Sequence, residues 1–315
     1  MTIHYKNWKT LQAGDIVDVV APSCGCSEKE IKLAADFLES LDLVPRIPDD
    51  LVDESALALC SNSDEYRYNH LKECLVSKDS KAVWCLRGGY GATRIIPELS
   101  KIRQPRQSKL FIGLSDITAL HLFLYQRWRW CVMHAPVLFQ LGANIVDEAS
   151  IALLQEAIFG TKNKLVYNNL VPLNDAAKTP KSLYSRITGG NLCLLQSSLG
   201  TNWNIKGKNH IIFIEEIGER GYAVDRMLTH LTQASVFEHA QAVIFGDIIG
   251  GLEKDGISLN EPVIRKFAHH LDIPVLQFEG IGHGHTNNPL PIGSQAILKL
   301  EPNNATLSCT TGAVE

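Results

Sequence analysis

Lys109-Leu110-Phe111-Ile112-Gly113-Leu114-Ser115-Asp116-Ile117-Thr118-Ala119-Leu120-His121 is the stretch that decides the fold. Leu110, Phe111 and Ile112 make a compact apolar run suited to a buried strand, and Gly113 breaks it. After Ser115 the apolar residues Ile117, Leu120 and Leu124 recur at helical spacing. A strand, a sharp turn and a helix start therefore follow one another, with the serine at the turn. A hydroxyl held there projects from the sheet edge beside the free amide groups of a helix start. Nucleophilic acyl transfer uses that geometry, because the developing oxyanion needs backbone N–H donors near the attacking oxygen. The pattern is G-x-S-D and not the full G-x-S-x-G elbow. Taken alone, it reads first as a helix cap supplied by Ser115 or Asp116.

The chain before this stretch repeats the same unit. Gly14-Asp15-Ile16-Val17-Asp18-Val19-Val20-Ala21-Pro22-Ser23 is a turn, a β-branched run and a small-residue loop. A helix from Glu28 to Leu41 follows, with Ile31, Ala34, Ala35, Phe37 and Leu38 on one side. Leu43-Val44-Pro45-Arg46-Ile47 reads as the next strand, and a helix runs from Asp64 to about Val76, capped by Ser63 or Asp64. Lys81-Ala82-Val83-Trp84-Cys85-Leu86 is a third strand, running into Arg87-Gly88-Gly89-Tyr90-Gly91-Ala92-Thr93-Arg94. Strands alternating with helices build an open parallel sheet, so the first half is an α/β domain. Loops after neighbouring strands of such a sheet share one edge, where ligands bind. The glycine loop lacks the spacing of a phosphate loop. It reads either as a tight strand–helix turn or as backbone N–H donors lying beside Ser115.

Beyond the serine helix, Trp128 to Val137 is another short strand and loop, in which His134 is either a structural residue beside a proline or a base. A helix from Glu148 to Phe159 closes the first half. Gly160 to about Ser185 is polar, with Asn168, Asn169, Asn174, Asp175, Thr179, Pro180 and Lys181. That is linker composition, and it divides the chain into a nucleophile-bearing domain (1–160), a linker (161–185) and a second domain (186–315).

The second domain opens on Ser185-Arg186-Ile187-Thr188-Gly189-Gly190-Asn191-Leu192 and a helix to about Leu199. In His210-Ile211-Ile212-Phe213-Ile214-Glu215-Glu216-Ile217, an apolar run leads directly into two carboxylates. Carboxylates at the end of a buried strand are costly unless paired or used, or unless the strand end is solvated. A helix from Ala223 to Ala234, a strand from Gln241 to Ile249, and a helix from Pro262 to His270 follow. The last core strand, Pro274 to Glu279, runs into Gly280-Ile281-Gly282-His283-Gly284-His285-Thr286-Asn287. Two histidines among glycines after a strand suit a positioned base. H-x-H with Glu215 also suggests zinc, without an H-E-x-x-H or a third clear ligand. Ala296 to Leu300 and Ala305 to Cys309 form a closing hairpin around Glu301-Pro302-Asn303-Asn304.

The totals narrow the classes. A chain of 315 residues has room for two domains. Its 45% hydrophobic and 20% charged content is that of a folded globular protein. The 30 basic and 34 acidic residues leave a net charge of −4 with no basic block, so nucleic acid is not an expected partner. Eight cysteines at irregular spacing, with no C-x-x-C pair, read as reduced and mostly buried thiols of a cytosolic protein. Cys24-Gly25-Cys26 suggests metal or redox chemistry but lacks a second ligand pair. Met1 to Lys9 has no apolar core of a signal peptide, and no run reaches the ~18 apolar residues of a membrane span. The expectation is a cytoplasmic protein with no membrane partner.

Ser115, Glu215 and His283 thus stand at three strand ends, in roles that match nucleophile, orienting carboxylate and base. Together with Ala21-Pro22-Ser23, Arg87-Gly88-Gly89-Tyr90-Gly91 with Arg94, Gly113-Leu114-Ser115-Asp116 with His121, Glu215-Glu216-Ile217-Gly218-Glu219 with Asp225-Arg226, and Gly282-His283 followed by Asn287 and Leu290-Pro291-Ile292-Gly293, they carry a resemblance. Over nearly its whole length the chain resembles the LD-carboxypeptidase family, the murein tetrapeptide carboxypeptidases. The resemblance implies a flavodoxin-like parallel-sheet N-terminal domain, a smaller β/α C-terminal domain and a homodimer. It assigns Ser115 as nucleophile, His283 as base and Glu215 as its partner. It implies oxyanion donors at Gly89 and Asp116, and hydrolysis of the L,D peptide bond to terminal D-alanine in cytoplasmic wall recycling, with no cofactor. Arg87, Gly88, Tyr90 and Arg94 are the nearest residues to bind the substrate, the arginines as carboxylate partners. The microcin C self-immunity branch of the same family is the first alternative. It requires an aromatic residue to stack a nucleobase, for which Trp203 and Tyr184 are the loose candidates. A non-catalytic two-lobed ligand-binding protein is the second.

Overall fold

A computed structural model describes residues 5–53 and 59–312, so the first four residues of the N-terminal stretch lie outside the described residues. The N-terminal half runs β1 (Ile16–Val20), α1 (Glu28–Ser40), β2 (Val44–Arg46), α2 (Asp64–Val76), β3 (Ser80–Cys85), α3 (Ala92–Leu99), β4 (Leu110–Gly113), a single 3-10 turn (Ser115–Ile117), α4 (Thr118–Trp128), β5 (Val132–His134), α5 (Leu138–Gly142) and α6 (Glu148–Phe159). Its strands form a parallel sheet in the order β5-β4-β3-β1-β2. The strands are the β-branched and apolar runs, and the start of α2 is capped as the sequence indicates. Ser27 accepts from the Glu30 amide while the Glu30 carboxylate accepts from the Ser27 amide, a reciprocal cap that fixes the start of α1. Ser63 caps α2 by accepting from the Tyr66 amide. In α4 every residue but Arg127 is buried. A helix apolar all round must be covered on all sides, and α4 lies between this sheet and the second half of the chain.

The second half builds a closed barrel from β6 (Lys164–Pro172), β7 (Lys181–Asn191), β8 (His210–Ile217), β9 (Ala242–Ile249) and β10 (Val275–Gln277), with β12 (Gln295–Glu301) and β13 (Asn304–Thr310) after β11 (Leu290–Ile292). The barrel order is β10-β6-β13-β12-β7-β8-β9. The β7, β8, β9 and β10 pairings are parallel and the others antiparallel. Its helices are α7 (Asp175–Lys178), α8 (Leu192–Ser197), α9 (Gly221–Gln233) and α10 (Asn260–His269). The fold is α/β, with a parallel-sheet first domain and a second domain around it. The closing hairpin pairs as the sequence indicates, Ala296 with Cys309 and Leu300 with Ala305.

The stretch 161–185 departs from linker composition. It holds β6, α7 and the start of β7. Leu165, Tyr167 and Leu170 face the barrel interior while Lys164, Val166, Asn168 and Asn169 are exposed. The asparagines occupy the solvent face of a one-sided strand, and that alternation hid it. β11 is the second departure. It leaves the barrel and pairs antiparallel with β5, Leu290 opposite His134 and Ile292 opposite Val132. The first sheet therefore takes its edge strand from beyond the barrel's β10. Pro291 lacks an N–H, which an edge strand tolerates.

Candidate active site

The site assembles where β1, β3 and β4, adjacent in the sheet, all end on one edge. β4 stops at Gly113, and Ser115 takes φ 66°. That left-handed conformation costs a residue with a side chain about 1–3 kcal/mol, a strain that clusters at functional sites. Neither Ser115 nor Asp116 caps α4. Asp116 instead is buried, and its carboxylate accepts from Ser23 Oγ at 2.6 Å and from the Ala92 amide, the first of α3, at 2.8 Å. Burial pushes the Asp116 carboxyl up from its ordinary range, with the Ser23 and Ala92 hydrogen bonds opposing. The Asp116 side chain so ties the serine turn to the helix that follows the glycine loop. Gly88 lies against the serine: a Cβ there would meet Ser115 Cβ at 2.9 Å and Oγ at 3.2 Å. Gly89 has φ 106°, and a Cβ there would collide with Cys24 Sγ.

Glu215 is fully buried at the end of β8, and its Oε2 is 2.7 Å from Nδ1 of His283. His283 stands on the glycine loop between β10 and β11. Burial works to lower its pKa, but the Glu215 charge and hydrogen bond outweigh that, with Glu216 and Asp247 adding, and the imidazole ends above its ordinary value. Glu215 is register-paired with Asn191 of β7. The Asn191 amide donates to Thr118 Oγ1 at 3.0 Å, and Thr118 opens α4 directly behind the serine turn. Two strands and one hydrogen bond thus link the Glu215–His283 pair to Ser115.

Glu216 has a different task from its neighbour. Its carboxylate accepts from Asn191 Nδ2 and from the Cys193 and Ile217 amides, at 2.8, 2.8 and 2.9 Å. It anchors the start of α8. Sequence reasoning missed Thr118, Asn191 and Asp247, which accepts from the Gly280 amide at the root of the histidine loop at 2.8 Å. The signal available for Asn191 was its place directly after Gly189-Gly190.

The remaining candidates separate. Arg94 turns its guanidinium onto Asp64, at 2.9 Å from Nε and 2.6 Å from Nη2. Arg87 is exposed, lies over the Phe139 ring at 4.9 Å and holds no ion pair among the described residues. Tyr90 is half-exposed and, with Gly89, Asp116, Cys193 and Trp203, lines a cleft of about 690 Å³ between α3 and α8. Tyr184 is exposed elsewhere on the barrel, away from Trp203. His134 is fully buried beside His121 and Phe213, and burial drives its pKa well down. His285 donates from Nδ1 to the Ile145 carbonyl, 2.6 Å away, and not to Glu215. Among the described residues no group of three or more His, Cys, Asp or Glu is placed to hold a metal ion.

Two family models match the chain, LD-carboxypeptidase N-terminal domain over residues 17–135 and LD-carboxypeptidase C-terminal domain over residues 184–298. A candidate carboxypeptidase of Rickettsia conorii is 39% identical over 87% of this chain and 84% of its own length. The murein tetrapeptide carboxypeptidase of Pseudomonas aeruginosa is 27% identical over 75% of this chain and 78% of its own. Among solved structures, the muramoyltetrapeptide carboxypeptidase of Oxalobacter formigenes is similar with a TM-score of 0.80 at 23% identity, covering 95% of this chain and 100% of that one. At that identity the likeness is one of fold.

Proposed function

The chain belongs to the LD-carboxypeptidase family, and on that premise we propose that it is a serine carboxypeptidase releasing terminal D-alanine from murein tetrapeptides in cytoplasmic wall recycling. The observation that carries this reading is the 2.7 Å Glu215–His283 bond, joined through Asn191 and Thr118 to a serine in a left-handed turn. Nδ1–H of His283 donates to Glu215, which leaves Nε2 as the base for the Ser115 hydroxyl proton. Ser115 Oγ attacks the carbonyl of the L,D bond. The oxyanion accepts from the backbone amides of Gly89 and Asp116, held in place by the glycine loop and the turn. His283 returns its proton to the departing amine of D-alanine, and water then cleaves the acyl-enzyme by the same route. Arg87 is the better partner for the D-alanine carboxylate, because the Arg94 guanidinium is engaged by Asp64. Gly88 and Tyr90 line the approach. The enzyme acts as a homodimer with no cofactor.

The test is D-alanine release from murein tetrapeptide, followed by mass spectrometry beside an aminoacyl-sulfamoyl adenosine. Release by the parent and its loss in Ser115→Ala, with the circular dichroism spectrum unchanged, is the expected result. Undiminished release by Ser115→Ala removes the serine from the reaction. Cleavage of the sulfamoyl adenosine alone transfers the chain to the microcin C branch.

A further inference from the structure

A second cavity, of about 820 Å³, opens at the other end of the barrel. Five cations line it: Arg129 at the end of α4, Lys164 at the start of β6, Arg186 on β7, and Lys206 and Lys208 before β8. No Asp or Glu lines it, and none of the five holds an ion pair among the described residues. A cluster of unpaired like charges repels itself, so such a grouping in a protein of net charge −4 calls for an anion to neutralise it.

The cavity also offers flat and apolar surface. Tyr184 lines it at 75% exposure, beside Ala296 and Ile297. Tyr5 is already covered, with the Arg186 guanidinium 4.0 Å from its ring centre and Tyr125 stacked at 5.4 Å. Tyr184 is therefore the face left to stack on a ligand ring. We propose that this cavity binds a small anion of two or more charges carrying a planar ring, the chemistry of a nucleoside diphosphate. The phosphates meet Lys206, Lys208 and Lys164, and the ring stacks on Tyr184. The site is separate from the serine. His210 at the cavity and Glu215 at the reaction centre lie on the same strand, five residues and ~17 Å apart at the ordinary strand rise. α4 and β7 span the same interval, with Thr118 and Asn191 at one end and Arg129 and Arg186 at the other.

Isothermal titration of the full chain with ADP, and with pyrophosphate as the ringless probe, tests this. Saturable one-to-one binding of ADP is expected, weaker by about tenfold for pyrophosphate, which has no ring to stack on Tyr184. Lys206→Glu with Lys208→Glu, two exposed lysines, is expected to weaken ADP binding by about tenfold or more, with D-alanine release unchanged. Tyr184→Ala is expected to bring ADP down to the affinity of pyrophosphate. Absence of ADP binding by the parent overturns the proposal. So does equal binding by the lysine variant, which places ADP elsewhere. Pyrophosphate binding as tight as ADP removes the ring and overturns the ligand class. A change of oligomeric state in the lysine variant, with no ADP binding by the parent, makes this face a subunit contact and also overturns it.

Discussion

At position 115 a serine holds a backbone conformation that glycine adopts more readily, and at position 215 a carboxylate is buried with one oxygen on an imidazole. Each is costly alone, and the proposed function uses them together, as nucleophile and as partner of the base. The Glu215 charge raises the His283 pKa above its ordinary 6.5, and a base must be neutral to accept a proton. Activity is therefore expected to fall on the acid side with a limb lying above 6.5. Glu215→Gln removes the charge, so the limb moves to lower pH while kcat falls by about a thousandfold or more. A profile of kcat/KM against pH checks this, and a limb that stays put removes Glu215 from the role. Ser115 was legible because strand, turn and helix follow one another within a dozen residues. Glu215 over Glu216, and His283 over His285, were legible only through family resemblance. The distinction lies in hydrogen bonds between residues far apart in the chain, such as the one from Asn191 to Glu216, and local chemistry does not announce these.

The glycine loop, the serine turn and α3 act as one element through the Asp116 carboxylate. Gly88→Ala places a methyl group 2.9 Å from Ser115 Cβ, so the loop and its amides must move. Displacing an oxyanion donor costs about 10²–10³ in rate. We expect kcat to fall by about that factor with KM little changed, measured on the tetrapeptide; an unchanged kcat separates the loop from the reaction. Asp116→Ala leaves the Ala92 amide and the Ser23 hydroxyl unpaired in the interior, and is expected to lower stability by about 2 kcal/mol or more in chemical denaturation. A smaller loss means that water reaches both groups. Elements with a one-sided local signal, such as α1 with its apolar side and β3 with its apolar run, were readable from the sequence. β6 was not, because two exposed asparagines mask its alternation, and β11 was not, because three residues around a proline carry no period of their own.

Across the whole molecule, neither half is complete alone. α4 is covered on one side by the sheet and on the other by the barrel, and the sheet's edge is closed by β11. A fragment of residues 1–160 would expose the α4 face and the edge of β5. We expect it to be insoluble or molten, as judged by near-ultraviolet circular dichroism; a cooperative unfolding transition in the fragment contradicts this. Composition suggested a linker at 161–185 where β6, α7 and the start of β7 stand, and the crossing of the chain back into the first sheet was not legible either. The basic cavity was equally hidden, since its five cations come from four distant segments and no stretch of the sequence is basic.

The return of β11 to the first sheet also sets an order in time. A ribosome delivers the serine turn early, the glutamate later and the histidine later still. The strand that completes the serine's own sheet emerges only after the histidine loop. A chain interrupted at any point before that strand carries the glycine loop and Ser115 but not the edge strand that completes their sheet. Under the proposed function, the ability to cut is acquired only near the end of synthesis.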